Sequence, residues 1–460
     1  MTYVDFVHRK TVRTQASGFS ASIDYGLFDF QRAITEWALR RGRAAVFADT
    51  GLGKMAMEIA WADQVCKHTN GSVIILAPLA VAQQLAREGR RMGVDVLHAK
   101  SGEQSPAQGI TVTNYERLHL FDPARYSGVV LDESSCIKHQ GSKTFTQLCE
   151  AFRDTPYKLP ATATPAPNDW TELGTHAEFL GICTRAEMLS EFFCHDGGET
   201  QVWRLKGHAR AEFWRWVASW AALVRKPSDL GFDDSRYNLP PLTVTQHTIE
   251  PRHAPTTGLF HTEALSLMER RQARRASLED RVAACANLIN STDEPWLIWC
   301  DLNDESDALT AAIDGAVEIC GADEPDAKES RLIGFIDGTV KRLVTKPSIA
   351  GWGLNFQHCA HMAFVGVTDS WEAYYQAVRR CWRFGQSRPV SVHIFASETE
   401  GAVVANLKRK ESAAQAMAQE LSNETREAVQ GSILGQSRYT NDYNPAHQIM
   451  VPAFLQSEAA

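Results

Sequence analysis

Along most of the chain, short unbroken apolar runs alternate with longer stretches of helical spacing. Ala44 to Phe47, Ser72 to Ala77, Ile110 to Tyr115 and Gly128 to Leu131 read as strands. Their apolar residues run without alternation, as in a parallel sheet covered on both faces. Leu27 to Leu39, Met55 to Ala62 and Ala80 to Arg91 read as the intervening helices. Lys158 to Pro165 ends a further strand with two hydroxyls, and Trp170 to Leu180 is again helical. From about residue 183 to 240 the pattern turns helical and aromatic. It closes at Leu239-Pro240-Pro241, where paired prolines break both helix and sheet and mark a linker.

A second α/β pattern follows. His261 to Asn290 reads as a helix, Pro295 to Cys300, Val317 to Cys320, Arg342 to Thr345 and His361 to Val365 as strands, and Trp371 to Arg383 as a helix. Val390 to Phe395 alternates, as an edge strand would. Ala402 to Val429 is helical, and the tail is polar up to Met450–Leu455. The expected architecture is α/β, with two parallel-sheet lobes in tandem and an α-helical insertion between them. A lead covers residues 1–20, lobe one 21–182, the insertion and linker 183–240, lobe two 241–430 and a tail 431–460.

Composition narrows the class. A chain of 460 residues, 44% hydrophobic, suits two domains with buried cores. No apolar run is long enough to span a bilayer, and the N-terminus lacks a charged-then-apolar leader pattern. The ten cysteines include no Cys-x-x-Cys pair, which points away from zinc and from a disulfide framework, and a reducing cytoplasm fits. A net charge of −8 excludes blanket adhesion to nucleic acid but leaves room for a local basic cleft.

The chemistry concentrates at Ala48-Asp49-Thr50-Gly51-Leu52-Gly53-Lys54, between a strand and a helix. Glycines let the backbone curl its N–H groups inward, and the following helix adds its positive end, so the order suits an anion. Lys54 would meet the β- and γ-phosphates of a nucleotide. The next residue, ordinarily a magnesium-binding Ser or Thr, is Met55, which cannot ligate the ion, and Ala48 replaces the first glycine of the pattern. Gln31 either reads an adenine edge with its amide or is a surface residue of a core helix. Asp132 and Glu133 leave a strand at the sheet edge where ligands bind, as a Mg²⁺-holding, water-activating pair or as two solvated acids. Trp203, Trp214, Trp216 and Trp220, interleaved with Arg204, Lys206, Arg210 and Arg215, either grip nucleic acid or pack inward. Arg270-Arg271 and Arg274-Arg275 form a further basic run.

Taken in order, these residues resemble the Swi/Snf-type ATPases of helicase superfamily 2, in a compact form like those of bacteriophages. Phe30-Gln31 is similar to the adenine-reading motif, Thr50 to Lys54 to motif I, and Pro78-Leu79 through Glu88 to motif Ia, with Leu85 for the usual Trp. Thr113 to Glu116 is similar to motif Ib, Leu131 to Ser135 to motif II, and Thr162 to Pro165, then Asn168 and Glu172-Leu173, to motif III. Gly351 to Asn355 is similar to motif V, and Gln376 to Gln386 to motif VI with its Gly-Gln ending. Motif II ends in Ser135 where relatives carry His.

The resemblance implies two RecA-like lobes with ATP and Mg²⁺ between them. It places Gln31, Thr50, Gly51, Leu52, Gly53, Lys54, Met55 and Gly353 around the nucleotide. Asp132 and Glu133 hold the metal, Glu133 polarises the attacking water, Gln376 orients water or γ-phosphate, and Arg380 and Arg383, three apart on one helix, act as arginine fingers. It further implies a monomer that grips DNA, duplex rather than separated strands, mainly by phosphate and without sequence preference, at no membrane. The cell would be the host if the chain is phage-encoded. Protein partners and pathway (replication, repair or recombination) stay open. A nucleotide-gated clamp with little turnover and an RNA-dependent ATPase are the alternatives.

Overall fold

In the computed structural model, the described residues are 17–166, 169–196, 199–249, 277–350, 355–366 and 370–397, with a few positions between 409 and 434. Residues 1–16, Asn168, the first part of the His261–Asn290 helix with its arginine run, the turn at 351–354 with Gly353, most of the Ala402–Val429 helix and the Met450–Leu455 stretch lie outside them.

The chain is an α/β protein with two parallel sheets in tandem. The first comprises β1 (Ala45–Ala48), β2 (Ser72–Ala77), β3 (Val96–His98), β4 (Gly109–Asn114), β5 (Tyr126–Asp132), β6 (Tyr157–Thr162) and β9 (Ala221–Val224), in the order β3-β4-β2-β5-β6-β1-β9. Its strands β1, β2 and β6 are buried along their whole length, which explains the apolar runs of the first two. Helices Asp29–Arg41, Lys54–Thr69 and Leu79–Arg91 contribute to one core, and the helices from Lys143–Ala151 to Arg210–Ala218 contribute to the other.

The second sheet comprises β10 (Leu242–Ile249), β11 (Trp296–Cys300), β12 (Ala316–Glu318), β13 (Arg342–Thr345), β14 (His361–Val365) and β15 (Val390–Ser397), ordered β10-β15-β14-β11-β13-β12. A fully buried Arg281–Glu305 ion pair at 3.1 Å ties two of its helices together. Glu305 also accepts the N–H groups of Asp301 and Leu302, so the pair is structural.

Four expectations are corrected. The stretch 183–240 is not an all-helical insertion. It carries a β-hairpin, β7 (Phe193–Asp196) with β8 (Glu199–Leu205), and then returns β9 to the first sheet, paired with β1. Val390–Phe395 is not an edge strand, because Leu242–Ile249 pairs beside it and takes the edge. Thr243, Thr245, Gln246, His247 and Thr248 leave that edge strand with little apolar signal. The helix from Trp371 ends at Val378, with Arg379 to Arg383 in turns beyond it. Finally, Val429 and Ile433, assigned above to lobe two and the tail, are buried in the core of the first lobe. There the Ile433 carbonyl accepts a bond from Arg40 at 3.1 Å.

Candidate active site

The neighbouring strands β5, β6 and β1 all end on one edge, and their exits form one wall of a crevice. After β1 the loop turns through Gly51 and Gly53 at φ +87° and +78°. A Cβ at Gly53 would stand 2.3 Å from the Gln31 amide nitrogen, so the loop needs glycine there for space as well as for conformation. The Gln31 amide donates to the Leu52 carbonyl at 2.8 Å and accepts from Phe28 N–H at 3.0 Å. Its placement is buried against the loop, and both ends of the amide are engaged.

Lys54 opens the next helix. Its ammonium rests on the Ala48 and Asp49 carbonyls at 2.8 and 3.4 Å, contacts that an arriving anion can displace. Burial lowers its pKa, with Glu133, Asp49, Asp132 and Glu58 opposing. Met55 is half-buried and packs on the apolar core.

At the end of β5, Asp132 is buried, and its carbonyl accepts from Tyr115 at 2.8 Å. Burial and then the neighbouring Glu133 raise the Asp132 carboxyl, while Lys54 works against them. Glu133 has φ +56°, a left-handed conformation that a β-unbranched acid adopts only at some cost. This turn aims its carboxylate along the crevice, where Thr162 at the end of β6 donates to it at 2.5 Å. Thr164 N–H bonds the Thr162 hydroxyl at 3.1 Å, and the Thr164 hydroxyl reaches Glu372 of the second lobe at 3.1 Å. Glu372 also pairs with Lys138. Beside Glu133, the Ser134 hydroxyl bonds the buried His176 at 3.1 Å, and burial lowers that imidazole to about 4, so it is neutral.

The second wall comes from Trp371–Val378 and the turns after it. Gln376 is 1% exposed, and neither atom of its amide has a hydrogen-bond partner. Arg380 is buried, and its Nε donates to the Gln376 carbonyl at 2.9 Å. Burial lowers Arg380 to about 10 against the pull of Glu133 and, less strongly, Asp132, which places its charge opposite the two acids. Burial, then Arg380 and Arg379, lower Arg383 to about 9. Both remain cations at neutral pH. The structure therefore brings Lys54, Asp132, Glu133 and Arg380 within electrostatic reach of one another, with Gln376 and Arg383 beside Arg380 on the second wall and Gln31 beneath the glycine turn.

Arg379 did not stand out in the sequence from its neighbour Arg380. It crosses the crevice to pair with Asp49 at 3.2 Å and to donate to the Thr50 carbonyl at 2.9 Å and to the Thr50 hydroxyl. Tyr375 donates to Asp49 at 2.8 Å. Against the opposing effect of burial, Arg379 and Tyr375 hold the Asp49 carboxyl below the usual range. Phe384 stacks on Tyr237 at 4.7 Å, and a Cβ on Gly51 would come within 3.2 Å of it. Glu58 also went unnoticed. Its signal was an acid inside the apolar run Ile59-Ala60-Trp61-Ala62.

The aromatic region packs inward. Trp214 and Trp220 belong to the core, with Trp203 and Trp216 against it. Lys206 caps the Ser190 and Glu191 carbonyls at 2.8 Å, and Arg215 pairs with Glu212.

The donor set fits a nucleotide triphosphate with Mg²⁺. It offers a glycine turn at the start of a helix, an ammonium held on two main-chain carbonyls, two adjoining acids, a buried unpartnered amide and facing guanidinium groups. Among the described residues no three His, Cys, Asp or Glu side chains form a ready metal cage, and no helix is long and apolar enough to cross a membrane. Compared with protein-family models and with curated proteins, the chain matches none.

Proposed function

We propose that the chain is an ATP-hydrolysing motor of the Swi/Snf type within helicase superfamily 2, with two RecA-like lobes, that moves along duplex DNA. The observation that carries this reading is the meeting, across one crevice, of Lys54, Asp132 and Glu133 with Arg380. Loop amides and Lys54 hold the β- and γ-phosphates. Bound Mg²⁺, held from the side of Asp132, offsets charge on the phosphate oxygens. Glu133, fixed by Thr162, takes the proton of the attacking water. Arg380, with Arg383 behind it, neutralises charge that grows on the transferring group. Gln376 orients the water. Opening after hydrolysis releases Asp49 and Thr50 from Arg379 and moves one lobe relative to the other.

The chain's DNA contacts would be phosphate contacts, sequence-independent and weakened by salt. Phosphate release from ATP, measured alone and with duplex DNA, single-stranded DNA and RNA, tests this. Hydrolysis stimulated most by duplex DNA is expected. RNA as the strongest activator would select an RNA-dependent ATPase. A second reading, a nucleotide-gated clamp, draws on Met55, whose side chain packs on the core and offers no metal ligand. Tight nucleotide and DNA binding without hydrolysis would select it.

A further inference from the structure

We propose that Glu58 replaces the missing loop hydroxyl, presenting a carboxyl oxygen to the Mg²⁺ that accompanies the nucleotide. The inference rests on the nucleotide reading above and adds a residue to it. Met55 stands where the hydroxyl belongs and is committed to the core. Glu58 lies one turn beyond Lys54 on the same face of that helix. It is 1% exposed, and neither carboxylate oxygen makes a hydrogen bond of ordinary geometry, although the Asp132 carboxyl lies close enough to share a proton with it. The charged groups that act on it are Asp132, Lys54 and Glu133, all members of the candidate site.

Two acids buried side by side are costly when ionised, and such pairs persist where a shared proton, a cation or a metal compensates them. Lys54 is not that cation by hydrogen bond, since its ammonium rests on the Ala48 and Asp49 carbonyls. A packing role is poorly served by an acid among Met57, Ile59, Ala60 and Trp61, all buried apolar residues. Mg²⁺ keeps several waters and takes one or two carboxylates besides phosphate oxygens. Glu58 and Asp132 on one side and the phosphates on the other supply that set without a preformed cage. Glu58 then acts on the metal directly or through one of its waters.

The test uses the full chain, a non-hydrolysable ATP analogue and Mn²⁺ as a paramagnetic probe read by electron paramagnetic resonance. Glu58→Gln is expected to weaken Mn²⁺ in the ternary complex about tenfold or more, the usual loss for such positions. Analogue affinity in EDTA should not fall. Met55→Thr combined with Glu58→Gln should recover most of the metal affinity, a rescue that a purely structural Glu58 would not give. Unchanged Mn²⁺ affinity in Glu58→Gln, with analogue bound, overturns the inference. If that variant does not fold, Glu58→Asp withdraws the oxygens by one methylene, and unchanged Mn²⁺ affinity there overturns it equally. A wild-type chain that binds no analogue, with or without metal, overturns the nucleotide reading itself.

Discussion

On the first wall of the crevice, Lys54, Asp132 and Glu133 sit within or just beyond the ends of buried parallel strands, so the main chain places them. On the second, Arg379, Arg380 and Arg383 follow the eight-residue helix Trp371–Val378 in irregular backbone, and side-chain bonds position them. Arg380 is anchored on the Gln376 carbonyl, whereas Arg379 is anchored across the gap on Asp49 and Thr50. The acid wall is therefore organised whether or not the lobes meet, and the basic wall takes its working geometry from closure. Substitutions of the first-wall acids should damage chemistry, and those of Lys54 nucleotide binding as well. Those on the second should divide into chemistry at Arg380 and closure at Arg379.

The largest effect is expected from Glu133→Gln, which should cut turnover by about 10²–10⁴-fold while nucleotide binding persists. Undiminished phosphate release would remove Glu133 from the mechanism. Arg380→Ala should lower turnover by about 10³-fold with nucleotide affinity nearly intact. Lost affinity with unchanged turnover would make Arg380 a binding group and erase the contrast between the walls.

Arg379→Ala should cost less turnover than Arg380→Ala but widen the distance between the lobes, measured by fluorescence energy transfer between labels on each. An unchanged distance would show that the Asp49 pair does not hold closure. The pH dependence has a definite sign. Asp49 is depressed in the closed form, so its contribution is complete above the ordinary Asp range near about 3.9 and is lost as pH falls through the lower closed-form value. The Asp49–Arg379 contribution to closure should therefore be constant from neutral pH down to the ordinary carboxylate range. The smallest effect is expected from Gln31→Ala, which frees the Leu52 carbonyl and Phe28 N–H. It should cost about 1 kcal/mol in thermal unfolding. No change in melting would show that the loop holds its shape without that amide.

The same division explains what was legible in the sequence. Strands buried on both faces announce themselves as unbroken apolar runs, so β1, β2 and β5, and with them the acid wall, could be placed from composition and punctuation. β10 could not, because an exposed, largely polar edge strand carries little apolar signal. β9 was masked by the tryptophans around it, which suggested a separate helical unit until their burial in the first core was seen. Arg379 and Arg380 are adjacent in sequence, and only the end of the helix at Val378 sends one to Asp49 and leaves the other facing the acids. Glu58 was hidden because sequence reading weighs an acid in a helix as surface, whereas this one faces the site from within the core.

The central claim is that both walls close on one triphosphate. Amide hydrogen exchange of the full chain with ADP and aluminium fluoride, a mimic of the transferring phosphoryl group, tests it most directly. The account predicts slowed exchange in residues 49–54 and 132–133 together with residues 376–383. Protection confined to the first two segments, with 376–383 exchanging as in the free protein, would contradict it.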